Sequence, residues 1–456
     1  MGSLTTSLLN ASGALNVYGR ALNVIQNNIS NANTPGYVEQ DQTLIAEPFD
    51  GTNRTAGGII AGPIQSARSE YLEQNVRNQA QVLGYAQQRA SDLGQVQPVF
   101  SPTSTSSISA MLNKFFSSFS QLSVNPNDPT ERQSVINAAG QVAESFNQAA
   151  TGIQQVSSNV DSQTHDLVPQ INKVLQQITA LNQQYAADAS STQDAGLDAQ
   201  MHSALENLST MVNFSLVKSN TGQYNVFTGG TPLVVGDHEY PISADFSSPQ
   251  TVIRDAQGND ITSELTGGQL GALLGEKNTT LPHYMELLNS LAATFADEVN
   301  QQLSQGVDQN GQPPSMGLFT YRQTSNAAST LAVTNIAPDQ IAAASAGSPG
   351  GNGNAIALAQ LASAPLVNGF TFTQAYGNLS AQVGTDVAQA QQDQTDDKDL
   401  LTQAQQTRSQ QTGVSLNAEA AKLLQVQQTY DAIGKLISTI SDLTLNVINL
   451  IPPVTS

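Results

Sequence analysis

The chain has 456 residues, 39% of them hydrophobic and only 11% charged, with 36 Asp and Glu against 16 Lys and Arg for a net charge of -20. That length allows about three domains of roughly 150 residues with real cores, while the acidic balance, at a pI near 4.3, excludes nucleic acid and anionic membranes as natural partners. No cysteine is present, which excludes disulfides, thiolate zinc sites and a cysteine nucleophile.

The opening MGSLTTSLLNASGALNVYGR lacks a basic n-region and an unbroken apolar core, so it does not read as a cleavable signal peptide. It reads instead as an amphipathic helix. Leu4, Leu8, Ala11, Leu15, Tyr18, Leu22, Ile25 and Ile29 fall alternately four and three residues apart, which is a heptad seam. Arg20 is the only charged side chain before Val38. The off-seam positions carry Asn16, Asn23, Asn27 and Asn28 where a solvated helix would usually carry Glu and Lys. Gly13 and Gly19 each cost roughly 1 kcal/mol inside a helix, so this one is marginal alone. Asn31, Asn33, Thr34, Pro35, Gly36 and Tyr37 then form a stop: asparagine competes for backbone bonds, Pro35 moves Thr34 out of the α region, and Gly36 supplies a turn. The helix is expected to end between Ser30 and Asn33.

VEQDQTLIAEPF reads as extended and DGTNRTAGGIIAGPIQSARS as a Gly-rich connection into a second helix over about 66–95. ISAMLNKFFSSFSQLSV and a long segment from Pro129 to about Ala189 are helical, as are Leu197 to Met211. NFSLVKSNTGQYNVFTGGTPLVVG alternates like strands with a hairpin turn at Asn220-Thr-Gly222, helix returns over about 267–305, and an irregular stretch around 308–321 gives way to helix near Ala355 and from Thr373 onward. The last segment mirrors the first. Leu416, Leu423, Val426, Tyr430, Ile433, Ile437, Ile440, Thr444, Val447 and Ile451 keep the same spacing, with Glu419 as the polar interruption, until Pro452-Pro453. LISTISDLTLNVINLI is too often interrupted by polar residues for a membrane span.

The fold class that results is mainly α with a β-rich insert. Paired N- and C-terminal heptad helices form a coiled-coil-like module over 1–62 with 413–456. A long-helix bundle takes 63–210 with 355–412, and a β-rich outer region with an inserted helix near 267–305 takes 211–354. On pattern alone the terminal pair is either a hairpin within one monomer or a stripe that lateral neighbours must cover.

No constellation for catalysis emerges. Asp198, His202 and Glu206 share a helix face at i, i+4 spacing, but no second His or carboxylate motif accompanies them, and they read as an exposed polar face. His165, His238 and His283 are isolated. DQNGQ at 308–312 lacks the ligand ladder of a calcium loop and reads as a turn. GSPGGNGN lacks the Lys-Ser/Thr of a phosphate loop. No residue pattern implies a cofactor.

ALNVIQNNISNANTPGYVEQ and GVSLNAEAAKLLQVQQTYDAIGKLISTISDL resemble the N- and C-terminal signatures of the bacterial flagellar rod, hook and hook-associated axial proteins. The central LENLSTMVNFSLVKSNTGQYNVFTGGTPLVVG and GGQLGALLGEKNTTLPHYMELLNSLAATFADEVN are similar to members found at the hook-filament junction. The resemblance implies an exported, non-catalytic structural subunit of the extracellular flagellum, carried by the flagellar type III route, whose terminal helices build an inner tube and whose middle domains project outward. Implied partners are further copies of the chain, the hook protein, a second junction protein (hook-associated protein 3) and a cytoplasmic export chaperone on the C-terminal seam. One departure stands out, since MHSALENL replaces the Arg-Asp-Gln run often found there; this weakens any electrostatic contact carried over to that helix. Alternatives are another axial protein, such as a hook or distal-rod subunit, or a secreted membrane-active translocator using Ile433, Ile437 and Ile440.

Overall fold

The computed structural model of the chain describes residues 2–50, 55–101, 104–187 and 194–449. Helix α1 runs over Gly2–Asn31 and stops where the asparagines begin to bind backbone: the Asn31 amide donates to the Asn27 carbonyl, the Thr34 hydroxyl to the Asn31 side chain, and Gly36 takes φ 76°. Strands β1 (Gln40–Asp50) and β2 (Thr55–Ser66) then pair antiparallel from Gln40 opposite Ser66, with a bulge between Gln42 and Leu44. The Gly-rich stretch is therefore largely a strand and not a connection, because ladder bonds to β1 outweigh the low strand propensity of its glycines. Residues 51–54 of that stretch lie outside the described residues, as do Ile451 and the Pro452-Pro453 stop.

Helix α2 (Glu70–Val96) begins the bundle and is followed by α3 (Ile108–Val124), whose Ser107 cap accepts from Ala110 N–H. Helix α4 (Pro129–Ala187) continues for 59 residues through Pro169, and α5 (Ala195–Met211) starts on an Asp194 cap. Strands β3 (Ser215–Lys218), β4 (Tyr224–Thr228), β5 (Thr231–Val235) and β6 (His238–Glu239) form an antiparallel meander, and β7 (Ser243–Asp245) pairs with β8 (Val252–Arg254). Gly222, at φ 88°, makes the turn between β3 and β4.

Helix α6 (Gly268–Gly275) passes through a π turn at Glu276–Thr280 into α7 (Leu281–Ser304). Short α8 (Ala327–Thr330) and α9 (Gly353–Gln360) lead to α10 (Phe372–Thr412), capped by Thr371 and Gln374, and to α11 (Leu416–Asn449). The segment 308–312 is a turn, with Asp308 accepting from the N–H groups of Asn310 and Gln312.

The inserted helix sits in the bundle core, against the expectation that it belongs to an outer region. Phe295 of α7 meets Phe115, Phe146 and Phe372 at ring centroids of 5.3, 6.3 and 5.5 Å, so α3, α4, α7 and α10 share one interior. The apolar face of the 24-residue α7 explains this, because nothing in the small sheet is wide enough to cover it. The sheet is held to α4 by amide side chains acting as strand partners. Buried Asn182 donates to the carbonyls of Tyr224 and Gly236 at 2.8 Å and accepts from Tyr224 N–H at 2.9 Å, and Asn172 does the same for Ile242.

Candidate assembly module and its joint to the bundle

Helices α1 and α11 pack antiparallel, with the β1-β2 ribbon against α1. Asn28 faces Glu419, and a Cβ at Gly19 would lie 3.9 Å from the Tyr430 ring. Of the N-terminal seam, Ala11 and Ile25 are buried while Leu4, Leu8, Leu15, Tyr18, Leu22 and Ile29 are half-buried. On the partner helix Ile440 is buried and Leu423, Val426, Tyr430, Ile433 and Ile437 are half-buried.

Leu416 and Val447 are exposed and leave the expected seam. The antiparallel alignment explains both: continued to its ends, it sets Leu416 at Asn31 and Val447 at Gly2, the two limits of α1, where no turn remains to cover them. A second buried stripe on α1, formed by Val17, Ala21, Val24 and Asn28, went unread in the sequence. Apolar side chains remain in water on the pair, among them Leu9, Leu424, Leu436, Leu443 and Ile448.

The stop motif is a joint. Three passages of chain meet here: 67–69 from β2 to α2 and 413–415 between α10 and α11 cross from module to bundle, and 32–39, from α1 to β1 within the module, lies between them. They are bonded side by side, with Glu39 N–H donating to the Thr412 carbonyl and Ala67 N–H to the Glu39 carbonyl, both at 2.9 Å. A Cβ on Gly36 would overlap the carbonyl oxygen of Ala199 in α5, which is why this position takes glycine. Arg68 gathers the rest: its guanidinium donates to Glu73 at 2.5 Å, to Asp198 at 2.6 Å and to the Gly36 carbonyl at 2.6 Å. Glu73, 2% exposed, also accepts from Arg408 at 3.0 Å, and Arg408 reaches Glu206 at 2.8 Å.

His202 corrects the reading of its helix face as exposed. It is 2% exposed, with Nε2 3.1 Å from the Tyr224 hydroxyl and Nδ1 3.8 Å from Glu73. Burial, reinforced by Arg68, Arg77, Lys218 and Arg408, holds its pKa well below the usual histidine value, so the ring is neutral. The face turns inward because its partners come from α2, α10 and the sheet, far away in sequence. The MHSALENL run also contributes to the ion cluster, since its Glu206 pairs with Arg408. Arg68, Glu73 and Arg408 were missed. The available signal was scarcity: in a chain 11% charged, ARSEYLE sets three charges within six residues.

Among the described residues no group of three or more His, Asp or Glu side chains is arranged to hold a metal ion. The geometry is that of a clamp, in which cations and carboxylates neutralise one another.

Residues 93–319 match the flagellar hook-associated protein FlgK helical domain, and residues 8–37 match the flagella basal body rod protein family. Flagellar hook-associated protein 1 of Bacillus subtilis is 25% identical over 98% of this chain and 99% of its own. The proteins of the same description from Salmonella typhimurium and Escherichia coli are 26% identical over 72% and 68% of this chain, and the matches span 63% and 59% of those relatives. Among solved structures, the flagellar hook junction protein FlgK from Burkholderia pseudomallei superposes with a TM-score of 0.67 at 19% identity, covering 74% of this chain and 99% of that one, which shows a shared fold. With a rod-type first helix, a matching helical bundle between the paired ends and curated relatives that all carry one description, the chain belongs to the flagellar hook-associated protein 1 family.

Proposed function

We propose that this protein is a structural subunit of the bacterial flagellum at the hook-filament junction, polymerising through α1 and α11 and providing the surface on which the filament assembles. It is an exported flagellar component and not an enzyme. The observation that carries the assembly reading is the incompletely covered α1-α11 pair: each helix shields one stripe of the other, yet Leu9, Leu424, Leu436, Leu443 and Ile448 stay exposed. Further copies that covered them would remove that apolar surface from water. The hook protein on one side and a second junction protein, hook-associated protein 3, on the other are the neighbours this reading assigns. Before export, through the flagellar type III route, a cytoplasmic chaperone would cover the α11 stripe.

A strain lacking the gene should bear hooks without filaments and release flagellin into the medium, and the native chain should restore filaments. Filaments of normal length without this protein would refute the junction role. Truncation after Gly413 should abolish chaperone binding in a pull-down, and undiminished binding would move that site elsewhere. The hook or distal-rod alternative is not favoured by the family match over 93–319. Among the described residues no helix is long and apolar enough to cross a membrane.

A further inference from the structure

The face that α11 turns toward α1 carries one carboxylate, Glu419, and it is fully buried. Two side chains reach it, one from α1 and one from its own helix. Its Oε2 accepts from Asn28 Nδ2 of α1 at 3.0 Å, and its Oε1 lies 2.9 Å from Lys422 Nζ, which also donates to Glu39 at 2.6 Å beside the root of β1. Asn28 is buried too and spends every valence it has. Its second amide hydrogen goes to the Gln40 carbonyl at 2.8 Å, and its oxygen accepts from Gln40 N–H and the Tyr37 hydroxyl, each at 3.0 Å.

The apolar seam residues cannot choose an alignment by themselves. Val426, Ile433 and Ile440 are similar in size and chemistry, and a slide by one heptad exchanges like for like along that row; Tyr430, between Leu423 and Ile437, differs, but it faces Gly19, which offers no side chain to hold it. The polar contact is different. The same slide would set Val426 against Asn28, leaving an amide hydrogen unmatched, and would carry the Glu419 carboxylate past Asn31, the end of α1, away from its partner. A polar residue at a seam position fixes register at a cost in stability, and here it does so on both helices and the ribbon together.

We propose that Glu419 is the register key of the terminal helix pair: through Asn28 it selects one alignment of α11 on α1 and ties that alignment to the root of the β1-β2 ribbon. The chain therefore enters the assembly in one shape. This rests on the proposed function, in which the pair is the polymerising element.

The native chain lacks cysteine, so engineered pairs report register cleanly. Gly19→Cys with Tyr430→Cys reads the observed alignment, while Gly19→Cys with Leu423→Cys or with Ile437→Cys reads slides of one heptad, about 10 Å along the axis. The pairs are oxidised in isolated flagella and scored by gel shift on the assembled protein. With Glu419 present, the 19/430 pair should close at least about tenfold more than either slid pair. With Glu419→Ala the preference should fall below about threefold, and Glu419→Gln, which keeps an acceptor for Asn28, should retain most of it. Glu419→Leu guards against a variant that simply fails to assemble, because it adds apolar contact; it should be incorporated with mixed registers. An undiminished 19/430 preference in Glu419→Ala or Glu419→Leu overturns the proposal, as does failure of both Glu419→Leu and Glu419→Gln to be incorporated. A 19/430 pair that does not close even with Glu419 in place would instead count against the helix pairing behind the proposed function, and would take the register key with it.

Discussion

Replacing Gly36 with alanine tests whether the stop motif is a joint and not merely the end of a helix. The residue sits at φ 76°, where an L side chain costs about 1 to 2 kcal/mol. The added Cβ would also overlap the Ala199 carbonyl oxygen and lie 3.2 Å from its carbon. That neighbour is helix backbone and cannot rotate away, so α5 or the 32–39 passage must move, at a further cost of about 1 to 3 kcal/mol. Together these give about 2 to 5 kcal/mol, comparable with one charge-assisted bond such as that from Arg68 to the Gly36 carbonyl, which the displacement would break. The expected result of Gly36→Ala is faster amide exchange over Val38 to Gln40 and in the first turns of α5, near-normal protection in α3 and α7, and weak or absent swimming. Gly13→Ala is the control, since a Cβ there meets nothing within 4 Å and should add up to about 1 kcal/mol to the helix. If Gly36→Ala exchanges and swims like the native chain, Gly36 is not pressed on α5 and the joint as described is wrong.

Further outcomes follow from other buried groups. Glu276 is 2% exposed, and burial, only partly opposed by Arg89, pushes its carboxyl up to about 7. Its contribution to stability is therefore complete below its ordinary value of 4.5 and lost as pH rises through about 7, so Glu276→Gln should stabilise the bundle by about 1 to 3 kcal/mol at pH 8 and hardly at all at pH 4.5, measured by urea unfolding; equal effects at both would contradict it. Glu73→Ala leaves Arg68 and Arg408 short of their shared carboxylate and should destabilise by about 3 to 5 kcal/mol in the same assay, whereas a change under about 1 kcal/mol would show the cluster to be solvated. Ile440→Asp puts a carboxylate at a buried seam position and should give normal expression, native circular dichroism of the bundle and hooks without filaments. Ser441→Asp, on the exposed face, should swim normally, and full motility of both variants would remove the seam from polymerisation.

Helices whose apolar period repeats over many turns were legible: α1, α4 and α11 begin or end within a few residues of where their spacing sets them, and α4 runs on through Pro169 with Leu167, Val168 and Ile171 keeping its buried face on both sides. Strand β2 was not, because Gly57, Gly58, Gly62 and Pro63 signal a linker and only pairing with β1 makes them a strand. Val17, Ala21 and Val24 escaped for a similar reason. Small and β-branched residues on a helix declare a contact only when the second surface, here the ribbon, is known. His202 shows the remaining limit: its i, i+4 spacing from Asp198 and Glu206 was visible, but whether such a face points to water depends on Arg68 and Arg408, each more than a hundred residues away.

The side-by-side bonding of three passages at the joint has a mechanical consequence. A load applied to the terminal module does not run along one strand of chain into the bundle. It divides between the 67–69 and 413–415 passages, and the bonds of Glu39 to Thr412 and Ala67 share shear between them through the 32–39 segment. A single proteolytic nick at either crossing therefore leaves half of the module covalently attached, with the α1-α11 contact and the Glu39 bonds holding the other half, so load can still pass to the bundle after damage that would sever a linker of one strand.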